Sequence, residues 1–197
     1  MIQPIPFQFA AWSAYLNAIS NVVGALALAL LFAGYAPFGK VNDASSVFFA
    51  LSLIPVALAF HQLHRSVAAP SSLIITIIGV LAMLTAATLS ALLVFGQVSF
   101  GQTLRAVLSA NAIIGVWLVS SGILALIGSS LPRGLAWVLM VAGAGLMLVV
   151  VGFWIGGQGS PLTTLGGLVV LTGNLTWAIW LGHLWMSGTV RYPTPGP

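Results

Sequence analysis

The residues that could do chemistry are few: three histidines, one acid, and serines and asparagines set among apolar runs. His61 and His64 lie in "AFHQLHR", three residues apart, a spacing that puts them on one face of a helix. His183 emerges at the end of the last apolar run, on the same side of the chain's layout. Three imidazoles could complete a zinc site with one open position. One from each helix could instead hold a haem iron or a chlorophyll magnesium. A dihaem cytochrome needs four axial positions, which three histidines strain to supply. The plainer reading of "HQLHR" is a polar collar among lipid headgroups where a helix leaves a membrane. It is the favoured one, so no cofactor is assigned, and His61, His64 and His183 stand as cofactor-ligand candidates.

Other chemistries are narrowed by what is missing. Asp43 is the only acid, so paired-carboxylate catalysis within one chain is excluded. Beside Lys40, Asp43 reads as a helix cap rather than a proton carrier. The absence of cysteine removes disulfides, thiolate metal sites and cysteine nucleophiles. Ser121 and His183 invite comparison with rhomboid proteases, which carry a serine on the fourth core helix and a histidine on the sixth. Here "VSSGIL" is not Gly-x-Ser-Gly, "GHLWMSG" lacks the glycine spacing after the histidine, and the first loop has no Trp-Arg pair. No catalytic residue is assigned, and the chain reads as non-enzymatic.

The elements that must position these residues follow from composition. The 197 residues are 60% hydrophobic and 3% charged, with a mean hydropathy of +1.15. A soluble domain carries about 25% charged residues, so this chain is expected to live in a bilayer. Lysines and arginines are scattered, which excludes nucleic-acid binding. The opening "MIQPIPFQFAAW" lacks the basic segment of a secretory signal, so the first run is expected to be a retained transmembrane helix.

Spanning about 30 Å of hydrocarbon takes roughly 20 helical residues. Six runs qualify, at about 8–34, 44–64, 71–96, 103–128, 132–156 and 161–186. They are continuous rather than alternating, so an all-α polytopic helix bundle of about six helices with short loops is expected, as one domain. Asp43, Ser71 and Thr103 stand where helices two, three and four should start; Ser160-Pro161 opens the sixth, and Pro132 does the same for the fifth. Pro55 should kink the second helix. The proline-rich tail, 187–197, is expected to be extended.

Six spans put both termini on one side. That side carries Arg65, Arg133, Arg191 and the three histidines; the other carries Lys40 and Arg105, offset by Asp43. The balance favours cytoplasmic termini. Trp12, Trp137, Trp180 and Trp185 suit an aromatic belt on the terminus side.

Ser13, Asn17, Ser20, Asn21 and Gly24 fall on one face of the first helix. Asn174 should sit in the sixth at the depth of Asn21, and the fourth offers Asn111, Gly115 and Gly122. A polar cavity between helices one, four and six would make Asn17, Asn21 and Asn174 ligand-binding residues. The competing reading is packing: small residues allow close approach, and amides bond across helices. Gly143, Gly145, Gly152, Gly166 and Gly173 should likewise let helices five and six pack closely.

"VNDASSVFFALSLIPVALAFHQLHR", "GSSLPRGLAWVLMVAGAGLML" and "LTWAIWLGHLWM" together resemble a family of small bacterial membrane proteins of about six helices, a domain of unknown function. The Asn-Asp before the second helix and the Leu-Pro-Arg-Gly-Leu-Ala-Trp before the fifth carry most of the likeness. His183 stands where relatives often have a basic residue. The resemblance implies a protein of the bacterial cytoplasmic membrane and supplies no activity and no site residue. The expectation from sequence is a binding or accessory subunit, partnered by lipid and by other membrane subunits or itself. The alternatives are a small transporter or lipophilic-ligand carrier, and a haem- or chlorophyll-binding protein.

Overall fold

A computed structural model describes residues 6–190. It is all α. Lipid offers backbone groups no hydrogen bonds, and the helix satisfies them within one segment. The helices are α1 (Phe7–Phe32), α2 (Phe38–Val94), α3 (Phe100–Gly128), α4 (Arg133–Gly156) and α5 (Pro161–Met186), with one 3-10 turn at Gly157–Gly159. All five are long and apolar enough to cross a membrane.

The expected count was about six. The second and third expected segments form one nearly continuous helix, 57 residues long. A straight helix of that length would run about 85 Å, well beyond a bilayer. It is not straight. Ala68 has non-helical backbone angles (φ −154°, ψ 70°) two residues before Pro70. The Ser72 hydroxyl lies 3.0 Å from His61 Nδ1 and donates to the His61 carbonyl at 3.4 Å. Eleven residues of straight helix would separate that pair by about 16 Å, so the chain folds back at Ala68. The reversal takes a single non-helical residue, so no loop separates its two arms. Pro55 stays within helical backbone, and the break falls at Ala68 instead.

Several expected helix starts move. α2 begins before Asp43, which therefore lies inside the helix and caps nothing; Pro37 holds the cap position. Ser71 likewise falls within α2. α3 starts three residues before Thr103, behind a capping box in which the Ser99 amide donates to Gln102 Oε1 at 2.8 Å. Pro132 sits at the N-cap of α4 rather than at its first turn. Ser160-Pro161 opens α5 as expected.

Helix ends close by a shared device. After α1, Gly34 and Tyr35 donate back to Leu31 and Leu30; after α2, Gly96 and Gln97 donate to Leu93 and Leu92. This Schellman pattern needs a left-handed residue, and Gly34 and Gly96 supply it with φ of +96° and +68°. Of the expected extended tail, residues 187–190 turn back on α5 in the same way, and 191–197 lie outside the described residues.

The helices form a closed ring of neighbours: α1 on α2, α2 on α3, α3 on α4, α4 on α5, and α5 back on α1. Glycines set the tightest approaches. A methyl on Gly143 would lie 2.5 Å from the Gly115 carbonyl oxygen, and one on Gly166 would lie 2.7 Å from the Val149 amide nitrogen. Gly145, Gly152, Gly166 and Gly173 serve the α4–α5 seam as expected. Gly143 faces α3 instead.

Candidate functional site

The polar stripe of α1 turns inward. Ser13, Asn17 and Ser20 are buried, and Gly24 abuts Ser45 of α2. Ser13 returns its hydroxyl to the Phe9 carbonyl of its own helix at 3.0 Å, but the larger amide of Asn17 finds its partners on other helices. Asn17 is fully buried. Its Nδ2 donates to the Phe49 carbonyl at 3.0 Å and to the Ser52 hydroxyl at 3.2 Å, both on α2. Its Oδ1 accepts from Asn174 Nδ2 of α5 at 2.9 Å. Asn174 Oδ1 in turn accepts the indole N–H of Trp177 at 2.6 Å. Two asparagines, a serine and a tryptophan thus close a network across three helices.

Asn174 therefore sits at the depth of Asn17, not of Asn21. Asn21 lies one turn on, half-buried, and its side chain bonds to no described residue. The two asparagines meet at the α1–α5 seam, while α3 packs chiefly on α2 and α4, so the expected cavity between helices one, four and six is not where Asn17 and Asn174 lie. Gly115 and Gly122 of α3 pack on α4, against Gly143 and against Met140 and Ala136. Sequence reasoning missed Ser52 and Trp177. The second had a readable signal: Trp177 follows Asn174 at a spacing of three, where helical side chains meet.

The histidines disperse. His61 is half-buried and held by Ser72 across the reversal of α2. His64 is 1% exposed and stacks on Phe60 with ring centroids 5.6 Å apart. It is no headgroup collar. His183 is on the exposed face of α5. Among the described residues no group of three side chains could hold a metal, so the three-imidazole arrangement does not form. His64 stacks on Phe60 in the interior, whereas His61 and His183, the histidines a haem or chlorophyll reading would use, lie beside Ser72 on α2 and on the exposed face of α5. Ser121 is buried on α3, which packs chiefly on α2 and α4, while His183 lies on the exposed face of α5. Of the expected aromatic belt, Trp12, Trp137 and Trp180 are exposed, while Trp185 is buried at 2% exposure against Phe60 and Phe7.

One groove opens on the outer face between α3 and α4, with a volume of about 410 Å³. Its walls are Ser109, Ala112 and Ile113 on α3 and Val150, Val151, Trp154 and Ile155 on α4. It lies away from the asparagines and offers almost nothing polar. Its chemistry suits a hydrocarbon chain.

Compared with family models, curated proteins and solved structures, the chain matches none of them.

Proposed function

We propose that this chain is a non-enzymatic subunit of a bacterial cytoplasmic-membrane assembly, which binds other membrane subunits or further copies of itself. On this reading α2 crosses the bilayer twice, the bundle has six spans, and both termini face the cytoplasm. The observation that carries it is the spending of Asn17 and Asn174. The deepest polar side chains are consumed in tying α1, α2 and α5 together, which is what a scaffold needs and a transport site does not. The excess of Arg65, Arg133 and Arg191 over Lys40 and Arg105 supports the orientation.

Photo-crosslinking in the native membrane from exposed positions on α5, such as Thr172, tests the assembly. A discrete adduct with a partner or a second copy is expected; uniformly monomeric chain would sink the reading. Labelling of Ala69→Cys from the terminus side tests the six spans, since five would put the termini on opposite faces.

The second reading is a carrier of lipophilic molecules. It is favoured by the apolar α3–α4 groove, which has room for part of an acyl chain. Val151→Trp would fill the groove and should abolish copurification of a bound lipid. Retention of that lipid would remove the carrier.

A further inference from the structure

Arg105 is a charge set beside an apolar groove. It is exposed on α3 and makes no hydrogen bond or ion pair among the described residues. The chain's one acid, Asp43, lies on α2 and does not pair with it, so a counter-charge must come from outside the chain. At about 100° of turn per residue, Arg105 falls within about 40° of Ser109 and about 20° of Ala112 around the axis of α3. Those two residues line the α3–α4 groove. Arg105 therefore continues that wall one turn toward the start of α3.

The opposite wall reaches the same level. A methyl on Gly115 would lie 2.7 Å from the Gly143 carbonyl oxygen, and one on Gly122 would lie 2.7 Å from that of Ala136. Stepping this antiparallel register back along α3 sets Arg105 level with residues 153–155 of α4. Trp154 and Ile155 are there, lining the groove and 72% and 73% exposed. The depth follows from helix length. The 29 residues of α3 span about 43 Å, which matches a bilayer with its headgroups. Arg105 stands about 8 Å in from the start of α3, where headgroups meet hydrocarbon. Long side chains on a helix point back toward its N-terminus, so the guanidinium is carried to the headgroups while its stem stays in the apolar layer. Trp154 suits the same level. From Ser109 inward the groove faces hydrocarbon.

We propose that Arg105 and the α3–α4 groove form a binding site for an anionic phospholipid. The guanidinium donates paired N–H groups to the diester phosphate. One acyl chain runs inward past Ser109, against Ala112 and Ile113 on one side and Val150 on the other. A zwitterionic headgroup brings its own cation and leaves the charge of Arg105 uncompensated, so a net negative lipid is preferred. A helix of another subunit is about 10–12 Å across with its side chains. It would bridge a groove of about 410 Å³ rather than enter it. The inference shares its groove with the carrier reading and gives the occupant a headgroup, but it does not require that the lipid be moved. A scaffold can hold the same molecule.

Native mass spectrometry of the delipidated chain in detergent tests this, with phosphatidylglycerol and phosphatidylcholine of identical acyl chains as probes. The unaltered chain should bind phosphatidylglycerol more tightly. Arg105→Gln should weaken phosphatidylglycerol about tenfold, the worth of a charge-assisted hydrogen bond, and leave phosphatidylcholine unchanged. Arg133→Gln, an exposed base at the far end of α4, should alter neither. Equal binding of the two lipids, or equal losses from Arg105→Gln and Arg133→Gln, would overturn the proposal. Neither result touches the carrier reading, which falls only if Val151→Trp leaves lipid bound. A photo-crosslinker at Ile113 in the native membrane should capture phospholipid. A protein adduct there in its place would hand the groove to a partner and refute the lipid site.

Discussion

The same side chain meets two fates inside this bundle. Trp177 is fully buried, and its indole N–H is spoken for by Asn174 at 2.6 Å. Trp117 and Trp185 are buried almost as completely, and their N–H groups meet no protein acceptor. The difference lies in the neighbours' chemistry. An asparagine carries donors and an acceptor together, so two of them facing each other can close a network and still serve third parties. Rings with one polar atom each cannot. The amide region therefore satisfies itself, while the indole N–H groups of Trp117 and Trp185 meet no acceptor among the described residues.

The comparison can be broken most severely at Asn17. Asn17→Leu removes three hydrogen bonds at once and leaves Asn174 Nδ2 bare. Interhelical bonds in membranes average about 0.6 kcal/mol with a maximum near 1.7, so a loss of about 2–4 kcal/mol is expected in a reversible unfolding titration in bicelles. Asn174→Leu should destabilise by about 1–3 kcal/mol on the same scale. The double variant should lose less than the sum, since the pair shares a bond. Strict additivity would mean that the 2.9 Å contact carries no energy. Trp177→Phe deprives Asn174 Oδ1 of its donor and should cost about 1–3 kcal/mol, of which the bond itself is the smaller part. Asn21→Leu marks the lower end. This half-buried amide bonds to nothing described, and its loss should move stability by less than about 0.5 kcal/mol. A large effect there would point to a ligand at Asn21 rather than to packing.

Much of this was legible from residues alone. Five polar or small residues on one face of α1 announced an inward stripe, and Asn174 was its natural counterpart. The register between helices was not legible. Position along a helix predicts depth, but which residue it meets depends on how far each helix slides, and that moved the partner of Asn174 from Asn21 to Asn17. Azimuth was hidden for a related reason. In α5 both the inward and the outward faces are apolar, so Trp185 near a helix end read as a belt residue while it packs on Phe60. His64 misled in the same way, since a polar residue near a helix end carries no mark of facing inward. The reversal at Ala68 was foreseen as a gap at 65–70, yet it needs so little irregular backbone that helix runs through almost all of it.

The threonines of the outer surface carry a last consequence. Thr85, Thr172 and Thr176 are exposed, and each returns its hydroxyl to the carbonyl one turn back, at 2.8–2.9 Å. What the surroundings of the helix meet is then a methyl group. α5, the least hydropathic of the five by composition, presents hydrocarbon more oily than its letters suggest. A scale that scores each threonine as a free alcohol misjudges how readily such a segment dissolves in lipid. Valine, which has the same outline, is the fairer stand-in at these three positions.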